Sequence, residues 1–319
     1  MNLRCAVSRF SSHPRVEKGQ RASPPGPNGL AGEPPHVAHW LLRITALLAA
    51  AMLGLSLILW VAANWDLFGR ASHFLLLQTL FAGSGLIGFR STTARTPMLL
   101  TAMLFMGALF GYFSQTYQTS SDPWQLFAAW AIAAMPLCLA TRSDVLWIPW
   151  ILVSFSASTL WLSDMATYRW DIDAMYMGHY AASLLISVTL CGAMTPFMAR
   201  WTGAGAWPLR MAIALTTLMA GTIALGLLLD SKPTYGLPLL LVLTAILVLL
   251  LPRFHDVICH SIIALGANTI LTTWLAVLLS DGDLPAVLIF VGLTAAGMLA
   301  TTGYWLLWRH QLHHTEVSA

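Results

Sequence analysis

The chain consists largely of ten apolar stretches, most of them long enough to form a membrane-spanning helix, with short polar loops between them. A helix needs ~20 apolar residues to cross ~30 Å of hydrocarbon, and the fourth and eighth stretches are the shortest of the ten. Charged residues are only 9% of the 319, against ~25% in soluble proteins. We therefore predict an all-α, polytopic transmembrane helix bundle with about ten spans. The stretches are 40–62, 72–89, 97–116, 124–140, 145–163, 176–198, 208–229, 237–252, 257–279 and 285–308.

Positive charge is concentrated in alternate loops, and this pattern predicts the orientation of the spans. If the N-terminus lies in the cytoplasm, thirteen of the sixteen Lys and Arg residues fall on the cytoplasmic side, as the positive-inside rule expects. Adding or removing one span would invert the pattern downstream of it, so the sequence predicts that both termini are cytoplasmic. The thirteen residues are Arg4, Arg9, Arg15, Lys18, Arg21, Arg43, Arg90, Arg95, Arg142, Arg200, Arg210, Arg253 and Arg309; the other three are Arg70, Arg169 and Lys232.

The N-terminal segment 1–38 differs in composition from the rest of the chain. It holds six prolines and five basic residues, and no apolar run of signal-peptide length follows them. We expect a disordered cytoplasmic tail rather than a cleaved leader, because such a composition buries little apolar surface. The predicted organisation is this tail, a transmembrane helical domain over 39–309, and a short cytoplasmic tail over 310–319.

Tryptophan gives a second, independent indication of the span ends. Its indole ring is amphipathic and prefers the headgroup region, so tryptophans form belts at both membrane surfaces. Only Trp130 and Trp274 lie deep inside predicted spans. The twelve expected in the belts are Trp40, Trp60, Trp65, Trp124, Trp147, Trp150, Trp161, Trp170, Trp201, Trp207, Trp305 and Trp308.

Glycines mark the faces on which we expect helices to approach closely, because small residues allow close packing in lipid. Gly107 and Gly111 form a GxxxG motif in the third stretch. A second group, Gly83, Gly85 and Gly88, lies in the second stretch. Both groups are expected at helix–helix contacts.

Polar and aromatic residues gather where the first and third stretches end and the fourth begins. Because the first and third stretches both run outward, we expect these side chains at a similar depth on the outer side. Pro123 suits the first turn of a helix, and Asp122 before it can cap the free backbone N–H groups. The candidate ligand-binding residues are Asn64, Trp65, Asp66, Gln115, Tyr117, Gln118, Asp122 and Trp124.

The segments VAANWD and GYFSQTYQTSSDPWQLFAAWAIAAMPLCLATRSDVLWIPW resemble the bacterial membrane-protein family called domain of unknown function 2157. Members share an Asn-Trp-Asp end to an early helix and a Gln-x-Tyr segment before a Trp-containing span. The resemblance covers roughly residues 40–165 and implies a multi-pass protein of the bacterial inner membrane, with no known activity. The Pro-rich tail departs from the soluble helical lead-in of the family. The matching residues are Asn64, Trp65, Asp66, Gln115, Tyr117, Gln118, Asp122, Trp124 and Trp130.

Three interpretations of this outer cluster stay open at the level of sequence. In the first, Asn64, Gln115 and Gln118 form hydrogen bonds between helices, at ~0.6 kcal/mol each, while the Trp and Asp residues anchor and cap. In the second, the cluster lines an outward-facing pocket with aromatic walls for a lipid headgroup or an envelope precursor. In the third, it is a surface for a partner protein.

No catalytic residue, metal site or cofactor is predicted. The P-loop, HExxH and GxSxG motifs are absent, and the four cysteines show no CxxC pattern. No Asp, Glu, Lys or Arg lies near the middle of a stretch, which argues against a proton-driven pump with a carboxylate at mid-membrane. The basic residues follow membrane topology, so no nucleic-acid partner is expected.

The sequence therefore predicts a non-enzymatic integral inner-membrane protein that contacts the lipid bilayer and binds an envelope lipid or a partner protein at the outer interface. The first alternative is a transporter or flippase for a small amphipathic solute or lipid. It should show inverted repeats and a cavity that reaches Gln78 or Asn268. The second alternative is an intramembrane enzyme, in which at least two outer carboxylates would lie within ~3–4 Å of a shared site. Those carboxylates are Asp66, Asp122, Asp164 and Asp173.

Overall fold

In the computed structural model, all regular structure within the described residues is helical, which confirms the predicted all-α class. The structure describes residues 35–64, 69–117, 122–165, 174–230, 233–251, 256–280 and 282–317. The chain forms two units, Met1–Thr45 and Ala46–Ala319, and the contacts given below lie in the second. The helices are α1 Pro35–Ala63, α2 Arg70–Arg90, α3 Arg95–Tyr117, α4 Pro123–Thr141, α5 Asp144–Met165, α6 Met177–Ala193, α7 Ala199–Thr202, α8 Ala206–Leu229, α9 Gly236–Leu250, α10 Val257–Leu278 and α11 Leu284–Val317.

Each of the ten apolar stretches forms a helix, so the polytopic bundle is confirmed. Within the described residues, eight helices are long and apolar enough to cross a membrane, whereas α6 and α9 are shorter apolar helices. The short eighth stretch becomes the 15 residues of α9, or about 22 Å at ~1.5 Å per residue. The fourth stretch, also short in the sequence, forms a 19-residue helix of spanning length. The orientation of the termini stays a prediction.

The proposed terminal tails are only partly within the described residues. Residues 1–34 lie outside them, so the prediction of a disordered tail stays a prediction. The first helix begins at Pro35, a few residues before the predicted boundary at 38. The last helix continues to Val317, beyond the predicted boundary at 310. Both boundaries therefore fall inside helices.

Several consecutive helices, such as α2 and α3, α4 and α5, and α10 and α11, pack as antiparallel hairpins because their connecting loops are short. In the α2–α3 hairpin, Gly88 lies so close to α3 that an added Cβ would be 2.8 Å from Leu99 Cγ. Arg95 Nη2 donates a hydrogen bond to Ala140 O at 2.6 Å, which joins the start of α3 to the end of α4. The core then extends from α4 through α5 and α8 to α10, with α6 packed on α5 and α8, and α11 packed on α10.

Two tryptophans expected in a membrane belt belong instead to the protein core. Trp147 is 2% exposed and Trp150 is 5% exposed. Trp147 Nε1 donates to Thr202 O at 2.9 Å, and Trp150 Nε1 donates to Ala131 O at 2.8 Å. The belt prediction is wrong for these two residues, because their indoles satisfy their N–H groups on neighbouring protein backbone rather than on lipid headgroups.

The glycine prediction is correct for two residues of the five. Gly107 packs on the Trp130 ring so closely that a Cβ would lie 2.4 Å from Cζ2, and Gly88 packs on α3 as described above. By contrast, Gly83, Gly85 and Gly111 have nothing within 4 Å of a built Cβ among the described residues. Only one glycine of the GxxxG motif therefore lies at a contact.

Several arginines assigned to the cytoplasm lie at one end of the bundle. Arg95 bonds to the end of α4, the Asp144 carboxylate accepts a hydrogen bond from Gly205 N, and Arg210 Nε pairs with Asp256 Oδ2 at 2.9 Å. These contacts bring the loops before α5, α8 and α10 together. We call this the arginine-rich end of the bundle, and its described arginines are Arg90, Arg95, Arg142, Arg200 and Arg210.

Candidate functional site

The described residues of the predicted outer cluster make local contacts. Asn64 Nδ2 donates to Trp60 O at 2.8 Å, within the C-terminal turn of α1 rather than across to another helix. The Gln115 side chain is exposed near the end of α3. Tyr117 ends α3, and the structure does not describe its side chain. Three further members lie outside the described residues, namely Trp65, Asp66 and Gln118.

At the start of α4, the sequence predicted the position of the cap but not its hydrogen bonds. Pro123 occupies the first turn, and Asp122 is the N-cap residue. The Asp122 carboxylate caps no backbone N–H group; instead, its Oδ2 accepts a hydrogen bond from Gln125 Nε2 at 3.2 Å. The carboxylate is therefore used in a local side-chain contact, and the capping prediction is wrong.

A groove with a volume of about 320 Å³ lies among α4, α5 and α6. One face of each helix forms it, as the i, i+3, i+4 and i+7 spacing of the α5 residues shows. The α5 residues form the floor, and α4 and α6 form the walls. The lining residues are Trp124, Ala128, Ala131 and Ile132 of α4, Ser154, Ala157, Ser158 and Trp161 of α5, and Ile186 and Leu190 of α6.

Small side chains create the groove, and its rim is open on the outside of the bundle. Five of its ten lining residues are Ala or Ser, three of them on α5 and two on α4, and these small side chains leave room between the larger ones. At the rim, Ile132 is 73% exposed and Ile186 is 42% exposed. Trp124 is the second residue of α4 and Trp161 lies near the end of α5, so both indoles lie at the end of the groove away from the arginine-rich end.

The polar groups around the groove floor are largely satisfied within the protein. Ser158 Oγ and Ser183 Oγ are 2.9 Å apart, and Ser154 Oγ donates to Trp150 O at 2.9 Å. The groove therefore presents an apolar surface rather than a hydrophilic path. Trp124 Nε1 is the exception, because it is buried and has no acceptor among the described residues.

Residues 17–147 match the family model described as predicted membrane protein (DUF2157). This match confirms the resemblance read from the sequence and covers α1 to the start of α5, including all eight candidate ligand-binding residues. It begins at residue 17, inside the Pro-rich tail that was expected to depart from the family, and it ends at 147 rather than near 165. The α4 wall of the groove lies within the matched segment, whereas the α5 floor and the α6 wall lie beyond it. No curated protein and no solved structure matches the chain.

The groove includes one of the eight predicted ligand-binding residues, Trp124. The other described members lie elsewhere, on α1, α3 and the start of α4. Sequence reasoning missed the floor on α5, although the spacing of Ser154, Ala157, Ser158 and Trp161 is that of one helix face. This signal is weak, because small residues at helical spacing also occur at ordinary helix contacts in membranes.

The groove lacks the polar lining expected of the transporter alternative, and the enzyme alternative stays a prediction. The groove is not lined by Gln78 or Asn268, and Asn268 Nδ2 instead donates to Thr302 Oγ1 of α11 at 3.1 Å. No group of three or more His, Cys, Asp or Glu side chains forms a metal site in the part of the chain that the structure describes. Of the four outer carboxylates, Asp66 and Asp173 lie outside that part.

Proposed function

We propose that this membrane protein binds an envelope lipid without catalysing a reaction, and that an acyl chain of the lipid occupies the groove among α4, α5 and α6. The observation that carries the proposal is an apolar groove, open at its rim, with two tryptophans at one end. Its volume of about 320 Å³ falls within the range of ligand pockets, ~300–1,000 Å³. In a bilayer, the material that meets such an opening is lipid hydrocarbon.

The polarity of the groove suits a lipid that enters from the membrane surface. An acyl chain needs no hydrogen bonds, which fits a floor whose serine hydroxyls are already bonded to protein. The ester and phosphate oxygens of a lipid are hydrogen-bond acceptors, and indole N–H is a donor only. Trp124 Nε1, buried and without an acceptor among the described residues, would donate to one of these oxygens.

Two substitutions separate a ligand groove from an ordinary gap between helices. Replacing Ala157 with Leu adds a large side chain to the floor and should abolish retention of the lipid. The matched control is Ala181→Leu, which enlarges an exposed alanine of α6 that does not line the groove. The measurement is native mass spectrometry of the full chain in mild detergent, which counts the lipid molecules that remain bound.

The wild-type protein and the Ala181→Leu variant should retain one lipid that the Ala157→Leu variant lacks. A third variant, Trp124→Phe, keeps an aromatic wall but removes the donor. One hydrogen bond contributes ~0.5–1.5 kcal/mol, so its affinity for the lipid should fall by about two- to twelve-fold. Equal retention by the wild-type and Ala157→Leu proteins, with both folded, would show that the groove is not a lipid site.

A further inference from the structure

Residues 194–207, which run from the end of α6 into the first turn of α8, lie at the arginine-rich end and have two distinct sides; we call them the α6–α8 segment. Its buried side includes Met194 at 1% exposed and Ala204 at 6% exposed. Contacts from α5 hold it in place, because Trp147 Nε1 donates to Thr202 O and the Asp144 carboxylate accepts from Gly205 N. The short helix α7 is therefore fixed against the bundle.

The other side of the α6–α8 segment carries large aromatic residues that the protein leaves uncovered. Phe197 is 69% exposed, Trp201 is 64% exposed and Trp207 is 60% exposed. Water is an unfavourable surrounding for such a cluster, whereas the headgroup region of a membrane is the preferred position of tryptophan. The exposure and the location at one end of the bundle fit a segment that lies in the headgroup layer.

Arginine side chains are interleaved with these rings. The Arg200 guanidinium lies 5.5 Å from the Phe197 ring centroid and 5.4 Å from that of Trp201. Stacking on aromatic faces positions a guanidinium while leaving its N–H donors available. Arg200 forms no ion pair among the described residues, where the pair between Arg210 and Asp256 is the only one.

A second exposed arginine lies beside the same segment. Arg142 follows α4, and its Cβ would be 2.4 Å from a Cβ built on Gly203, three residues after Arg200. Arg142 likewise has no carboxylate partner among the described residues. The carboxylate of Asp144, two residues later in the chain, already accepts the hydrogen bond from Gly205 N. Arg200 and Arg142 therefore lie at the same segment, and neither forms an ion pair among the described residues.

We infer that the α6–α8 segment binds an anionic phospholipid, with Arg200 and Arg142 at its phosphate and the exposed aromatic side chains in the surrounding headgroup layer. Guanidinium groups donate paired hydrogen bonds that match phosphate oxygens. This site lies at the opposite end of the bundle from the tryptophans of the groove, and it selects a lipid by charge rather than by its acyl chain. An arginine that served only to orient the chain in the membrane would need neither stacking on aromatic rings nor a second arginine beside it.

The test measures binding of short-chain phosphatidylglycerol and phosphatidylcholine, with the same acyl chains, to the full-length protein in neutral detergent. Native mass spectrometry gives the affinity for each lipid. The wild-type protein should prefer phosphatidylglycerol, and each of Arg200→Gln and Arg142→Gln should reduce that preference about five-fold. The matched control is Arg90→Gln, which removes an exposed arginine of the same end but on α2; it should keep the preference.

Three results would overturn the inference, provided that thermal unfolding shows the variants to be folded. These are equal binding of the two lipids by the wild-type protein, an unchanged preference in Arg200→Gln, and an equal loss in Arg90→Gln. Inorganic phosphate in excess should not displace the lipid; displacement would assign the site to a soluble anion. The Ala157→Leu variant should keep the preference, so failure of the groove proposal is distinguishable from failure of this one.

Discussion

Replacing Gly107 with Ala tests a close helix–helix approach in the core. A Cβ at this position would lie 2.4 Å, 2.6 Å and 2.7 Å from three atoms of the Trp130 ring, and real Cβ contacts are never this short. The ring is not free to move aside, because Trp130 Nε1 donates to Met103 O at 3.1 Å and the indole packs near Phe127. The substitution must therefore displace α3, α4 or the indole.

The expected size of the effect follows from three contributions. Overpacking a core costs ~1–3 kcal/mol, and loss of the indole hydrogen bond costs a further ~0.5–1.5 kcal/mol. Alanine favours the helix over glycine by ~1 kcal/mol, which acts in the opposite direction. We expect Gly107→Ala to lower the free energy of unfolding by about 0.5–3.5 kcal/mol, taking these terms together.

The matched control is Gly111→Ala, in the same GxxxG motif and the same helix. A Cβ at Gly111 meets nothing within 4 Å among the described residues, so only the helix preference of alanine remains, and the protein should be unchanged or more stable by up to ~1 kcal/mol. Unfolding by a denaturing detergent in mixed micelles, followed by circular dichroism, gives both values.

The reasoning is refuted if Gly107→Ala is at least as stable as Gly111→Ala. A double-mutant cycle adds a second check on the cause. Trp130→Leu removes the ring from the site of the clash, so adding Gly107→Ala to this variant should cost less than it does in the wild-type protein. If the two substitutions are additive, the destabilisation does not arise from this contact.

Three further predictions concern the arginine-rich end. Burial by itself raises the pKa of Asp256. Hydrogen bonds from Arg210 and from backbone N–H groups, together with the Arg210 charge, lower the pKa by more than burial raises it, so the pKa is below its usual value. The resulting stability is present above the unfolded pKa of ~3.9 and is lost as the pH falls through the lower folded pKa. In unfolding experiments, the stability advantage of the wild-type protein over Asp256→Asn should therefore shrink below about pH 4. An advantage that grows in acid would contradict this assignment. Trp147→Phe removes the donor to Thr202 O and should lower the free energy of unfolding by ~1–3 kcal/mol. An unchanged free energy of unfolding would show that water replaces the indole N–H. Gly203 has φ of +64°, so Gly203→Ala should cost ~1 kcal/mol or more, and a neutral effect on the unfolding midpoint would show that the loop adapts.

The sequence was most informative about features that each helix determines by itself. A spanning helix satisfies its own backbone hydrogen bonds, so a run of apolar residues is sufficient to predict it. This is why all ten predicted helices, and the position of Pro123 in the first turn of α4, agree with the sequence-based predictions. The two shorter helices, α6 and α9, differ only in length.

The contacts between helices were less predictable, as two pairs of residues illustrate. Gly107 and Gly111 are equivalent in the motif, but among the described residues only Gly107 is in close contact with a neighbouring helix. Trp147 and Trp161 both lie near predicted span ends, but Trp147 is buried on protein while Trp161 lines the groove. In each pair, the two residues differ in environment because neighbouring helices cover one of them more completely than the other.

The physical reason is the solvent. In water, polar residues mark the exposed face of a helix and so reveal its buried face. In lipid, the face that meets hydrocarbon and the face that meets protein are both apolar, and hydrophobicity contributes little to helix association. The amino-acid sequence alone therefore determined the membrane-spanning helices and the alternation of charge. Only the tertiary structure decided which faces pair, and with them the groove on α5 and the arginine–aromatic surface beside α7.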